Sequence, residues 1–170
     1  MTSFIDKQFE ANLKANIELI AVCATLTEEQ LAVEVEGIFG QIKPLIVHII
    51  QGEGNALRDL SGTNFWAADT DWDSLSMEQL REMAQQSGTA LRDYARQTDP
   101  DKPIRFEDDN EVAEFKAWVL INAEIHHGIE HRTQIHALLT KLGVPHPRQD
   151  VWSFANSLGE LKIVEKSNEA

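Results

Sequence analysis

The chain has 170 residues and a mass of 19.2 kDa, a length suited to one domain with a sizeable core. Apolar residues make up 42% and charged residues 25%, yet 15 Lys and Arg face 28 Asp and Glu, a formal net charge of -13. That field repels phosphate backbones and anionic membrane surfaces, and the single cysteine, Cys23, excludes an internal disulfide framework and any Cys-rich zinc site.

Asp6 and Glu10 stand where a secretory signal needs an apolar run. The apolar stretch Pro44 to Ile50 is far too short to span a bilayer. With one cysteine and no signal, a reducing cytoplasm is the expected compartment. The expected organisation is a single helical domain over residues 1–161 with a polar, mobile tail over residues 162–170.

Four segments carry helical periodicity. Ile5, Phe9, Leu13, Ile17 and Ile20 recur at spacings of three and four, predicting a first helix from about Ser3 to Ala24 with Cys23 buried near its end. Thr27 and Gln30 then form a capping-box pair, and Leu31, Val33 and Val35 alternate with polar residues as an extended piece does. A second helix runs from about Gln41 to Leu60, its start fixed by Pro44 in the first turn. The segment Ser61 to Asp73 is loop-like and carries Phe65, Trp66 and Trp72, read as packing back onto the domain. Ser76 and Gln79 open a third helix that ends near Gln97. A turn-rich acidic stretch, Asp101 to Asn110, precedes a fourth helix capped by Asp109 or Asn110 and stopped by Gly143 and Pro145. Asp150 caps a short last element holding Trp152 and Phe154. With no strand series, this is an all-α four-helix bundle.

Four of the six histidines lie between residues 126 and 136. His127 and His131 are four apart and share a helix face, a spacing that grips a metal at two points. Gly128 stands where the HExxH metalloprotease pattern needs Glu, so that chemistry is excluded. His48, among Val47, Ile49 and Ile50, borders the interior of the second helix and is the candidate third ligand. Three neutral imidazoles would leave a fourth position open, as catalytic sites do. His48 also reads as a hydrogen-bonded core histidine, and His126, His136 and His146 as surface residues. Glu124, three before His127, is open to three roles: fourth ligand, general base, or acceptor behind a ligand. Arg132 is expected to bind a carboxylate on a neighbouring helix, and Glu53, five after His48, to turn away from the site.

The string Ile121 to Gln134, containing His127, His131 and Arg132, resembles the N…H-x-x-x-H-R-G-Q signature of the DinB-like family. His48 to Glu53 is similar to that family's second-helix H-x-x-x-x-E pattern, while Thr133 departs from the usual Gly. The resemblance implies a four-helix bundle with a non-standard connection order. It implies a divalent metal, Zn or Ni foremost, held by His48, His127 and His131, and a homodimer. It also implies chemistry of the kind known in the family, namely metal-dependent thiol transferases that use low-molecular-weight thiols, and a mycothiol-dependent isomerase. On that basis the expectation is a metal-dependent transferase or hydrolase acting on an electrophilic small molecule, with Glu124 as a candidate proton acceptor. The alternative is a non-catalytic metal-binding scaffold. Neither nucleic acid nor membrane is an expected partner.

Overall fold

A computed structural model of the chain describes residues 3–107 and 112–161. Four long helices dominate: α1 (Phe4–Cys23), α3 (Ile42–Ser61), α4 (Met77–Gln97) and α5 (Ala117–Lys141). Two short ones, α2 (Glu28–Leu31) and α6 (Val151–Ser157), sit in the connections. The mask leaves the expected tail, residues 162–170, and the expected caps Asp109 and Asn110 outside the described residues. Among the described residues, no helix is long and apolar enough to cross a membrane.

The local signals act as expected at most helix starts. Ser3, Thr27 and Ser76 each accept a backbone N–H three residues on, and Asp6, Gln30 and Gln79 return the bond. These boxes satisfy amide groups that the first helical turn otherwise leaves unpaired. Gly62, at φ 77°, ends α3 in the left-handed conformation that a side chain disfavours. Val33 and Val35 do alternate inward, packing on the core without pairing into a sheet.

The fourth long helix starts later than its periodicity predicts. Residues Pro103–Glu107 form β1 and Val112–Lys116 form β2, an antiparallel hairpin, and Lys116 takes the cap position. The two-residue alternation decides it: Ile104 and Phe106 face Phe115 and Ala113 across the ladder, and all four turn inward. Val112 and Phe115 happen to sit three apart, so the same residues also satisfy the helical template.

Helix directions follow from what each end touches. One apolar cluster joins Leu19 and Ile20 of α1, Ile42 to Ile50 of α3, Leu80 and Ala84 of α4, and Ile135 to Leu139 of α5. The other joins Phe9 of α1, Ala56 to Leu60 of α3, Leu91 of α4 and Ala117 to Ile125 of α5. Hence α1 and α5 run one way, and α3 and α4 run the other. Each of α1 and α3 packs on both α4 and α5, so the spatial order round the bundle is α1, α4, α3, α5. An up-down-up-down bundle would instead place consecutive helices side by side. Because α3 and α4 are parallel, residues 62–76 must return along the bundle. Trp66 anchors that return, donating its indole N–H to the Ile50 carbonyl at 3.1 Å over Gly54, where a Cβ would lie 2.0 Å from the indole nitrogen.

Candidate metal centre

The antiparallel pairing of α3 with α5 places one histidine of the first against two of the second. His48, His127 and His131 each offer one ring nitrogen, and these nitrogens lie within 4.8 Å of one another. His48 Nε2 and His127 Nε2 are 3.0 Å apart. The three rings meet edge to face, with centroids 4.5 to 4.8 Å apart. Ligands about 2.0–2.1 Å from a tetrahedral ion are about 3.3 Å from one another, so the cluster has the span of such a shell. Among the described residues this is the one group of three or more histidine, cysteine or carboxylate residues so placed, and Glu124 is outside it.

The surroundings keep these imidazoles neutral. Burial lowers the His127 pKa to about 4, helped by the neighbouring His131 and His48. Burial and His131 lower His48 as well. Neutral imidazole is the form that binds a metal. His131 Nδ1 meets Gln134 Oε1 at 2.8 Å; a hydrogen bond there puts the ring proton on Nδ1 and frees Nε2 for the cluster. Glu124 Oε2 lies behind His127, 3.8 Å from Nδ1, and is a buried atom with no hydrogen-bond partner. Burial, then the charges of Glu53 and Asp59, raise the Glu124 carboxyl to about 7.

Two glycines make the geometry possible. A Cβ on Gly52 would lie 2.8 Å from His127 Cε1 and 3.2 Å from Glu124 Oε2. A Cβ on Gly128 would lie 2.7 Å from Arg132 Nη1 and 3.0 Å from Asn12 Oδ1. The close approach expected at Gly128 is therefore an internal one. Gly52 was invisible to spacing arguments, since nothing in a helical pattern says which ring will rest on it.

Behind the histidines a polar layer divides the two apolar clusters. Glu53 is 1% exposed and accepts from Asn12 at 3.2 Å, Asn16 at 3.0 Å and the Ser87 hydroxyl. Arg132 Nη1 donates to Asn12 Oδ1 at 2.8 Å and Asn16 Oδ1 at 2.6 Å. The expected carboxylate partner of Arg132 is thus reached indirectly: each asparagine accepts from Arg132 and donates to Glu53. Burial raises Glu53 to about 7 and lowers Arg132 to about 10. As expected, Glu53 turns away from the cluster, but into the centre of the bundle rather than towards a second helix alone.

The other histidines divide. His126 is exposed, as expected. His136 and His146 are not surface residues: their rings stack at 4.5 Å and 12°, with His136 Nε2 and His146 Nδ1 buried. The chain passes back over α5 after Gly143, which no spacing rule reveals. Of the aromatic residues read as packing or interface candidates, Trp66 and Trp72 are half-buried against the core, while Trp152 is 69% exposed.

A cavity of about 500 Å³ starts at His48. Leu31, Phe39, Pro44, Val47 and Trp72 form its apolar wall, and Gln51 and Lys43 its polar one. Fold and cluster together define an all-helical bundle carrying a three-imidazole group that could hold a metal ion. The DinB family profile matches residues 1–162, and the chain belongs to that family. No curated protein sequence matches the chain.

Proposed function

We propose that the protein is a metal-dependent enzyme whose divalent ion, zinc or nickel, is held by His48, His127 and His131. The observation that carries the reading is the convergence of three neutral imidazoles with no carboxylate among them, beside a cavity that His48 lines. When bound, such an ion supplies Lewis acidity and lowers the pKa of a water or thiol in its open position. The substrates that suit this are a low-molecular-weight thiol and an electrophilic small molecule, for transfer, or water and the same electrophile, for hydrolysis.

The chain's own contribution is positioning and exclusion of water. Gln134 holds the His131 tautomer, and Gly52 lets the His127 ring seat against α3. Phe39, Val47 and Trp72 offer apolar contact to a substrate body, while Gln51 offers hydrogen bonds near His48. For Glu124, the 3.8 Å approach to His127 Nδ1 supports an acceptor behind the ligand over a direct proton acceptor. The reading includes a homodimer in a reducing compartment, with exposed Trp152 and Val151 as contact candidates. Light scattering on the purified chain tests the dimer.

The central test is metal content of untagged protein purified from metal-supplemented cells. About one ion per chain is expected, lost in the His48→Ala, His127→Ala and His131→Ala variants. Occupancy that survives all three substitutions together overturns the assignment. A metal-loaded protein inert to a panel of thiols and electrophiles would support the scaffold alternative.

A further inference from the structure

A second cavity, of about 200 Å³, shares no lining residue with the one at His48. It lies between α1, α5 and the segment from Pro147 into α6. Ala11, Ala15, Ile125, Ile129, Val151 and Phe154 give it an apolar body. Arg132 also lines it, although that residue is only 5% exposed.

The guanidinium is only partly satisfied. Its two recorded bonds, to Asn12 and Asn16, both come from Nη1. Nε and Nη2 find no acceptor among the described residues. Neither is among the sealed side-chain atoms without a partner, which are Glu124 Oε2, His136 Nε2, His146 Nδ1 and Gln149 Oε1. These two nitrogens therefore open onto accessible space, and the space Arg132 lines is this cavity. The other charges on the wall are already paired, Lys14 with Glu18 and Arg148 with Asp150 at 2.7 Å. Arg132 is the wall cation whose own carboxylate, Glu53, lies across the two asparagines. Three cations against two carboxylates leave a surplus of one positive charge here, in a chain whose net charge is -13.

We infer that this cavity is a second binding site, for a small organic carboxylate whose headgroup takes the fork of Arg132 and whose apolar body lies on Ile125, Ile129 and Phe154. A guanidinium with two free N–H directions matches a carboxylate in shape as well as charge. A single surplus charge suits a monoanion, and Glu18 and Asp150 disfavour a doubly charged phosphate. The volume takes a body of the size of one ring. The site is independent of the metal reading, since none of its residues belongs to the histidine cluster.

The test is a titration of the isotope-labelled, zinc-loaded full chain with benzoate, and separately with benzamide, followed by amide NMR. Saturable shifts centred on residues 125–132 and 149–154 are expected for benzoate. Benzamide has the same body without the charge and should bind at least about tenfold more weakly. Ala11→Phe, which fills the cavity from the half-exposed face of α1, should abolish the benzoate shifts while leaving those from added chelator at His48 unchanged. The inference is overturned by benzamide binding as tightly as benzoate, by benzoate shifts confined to the His48 cavity, or by no saturable shift. The comparison of the two probes on the unmodified chain decides the question even where Ala11→Phe folds poorly.

Discussion

Gly52→Ala separates the fold of this protein from its metal centre. In a helix interior the change is favourable by about 1 kcal/mol, because alanine loses less backbone freedom than glycine. The structure sets a local cost against that gain: the new methyl group would stand 2.8 Å from His127 Cε1, 0.6 Å inside the ordinary contact limit of 3.4 Å. The half-buried His127 ring can relieve the contact by swinging out from α3, so the bundle need not move. The cluster does not tolerate this so easily, because His127 Nε2 then leaves His48 Nε2, now 3.0 Å away. Displacing a ligand on this scale costs about 10–100-fold in metal affinity, as loss of an orienting contact does, or about 1.4–2.8 kcal/mol. Competition for zinc against a chromophoric chelator gives the affinity, and urea unfolding of the metal-free chain gives the stability. The expected result is weaker zinc binding with metal-free stability unchanged or higher. Unaltered zinc affinity in a folded Gly52→Ala chain would refute the seating of His127 on Gly52.

Gln134→Leu should also lower metal affinity by about 10–100-fold, because it frees the His131 ring to turn and to change tautomer; the same chelator competition reads it. Glu53→Ala removes the acceptor for Asn12, Asn16 and Ser87 and leaves Arg132 buried without its carboxylate; a loss of about 3–5 kcal/mol is expected in urea unfolding. Gly54→Ala must expel the Trp66 indole from α3, at about 1–3 kcal/mol and with a red-shifted tryptophan emission. Burial and the neighbouring His146 hold His136 at about 4 against an ordinary 6.5. Between those values the unfolded chain takes up a proton that the folded chain refuses, so this contribution is intact above pH 6.5 and lost as pH falls through the window. Glu53, raised to about 7 from 4.5, tilts the opposite way, losing stability as pH rises through its own window. The His136→Gln chain should therefore lose less stability than the unmodified one between about pH 7 and about pH 5.

The four long helices and the histidine cluster were legible because both rest on local rules. Capping boxes at Ser3 and Ser76 and the spacing of His127 and His131 are properties of a few consecutive residues. His48 needed more, since only the family pattern said that the second helix faces the fourth. The hairpin before α5 was missed because Val112 and Phe115 fit two periodicities, and the choice between them depends on Ile104 and Phe106 across the ladder. The Arg132–asparagine–Glu53 layer was out of reach for a similar reason. Asn12 and Asn16 read as the polar face of an amphipathic helix until α5 is placed against them.

The directions of the helices also bear on how the protein is made. Of the four packed pairs, only α3 with α4 joins neighbours in sequence. A chain emerging from the ribosome therefore cannot close its first two long helices into a hairpin, and α1 waits for partners that are synthesised much later. His48 and His127 are 79 residues apart, so no metal site exists until α5 has been made and docked. Contacts of such long range slow folding relative to a bundle of consecutive hairpins. Once formed, however, an ion bridging the two helices ties a loop of that length, which in chain-entropy terms restrains the unfolded state by about 4.5 kcal/mol. Metal capture would then be the last step of maturation and the one that makes it hard to reverse.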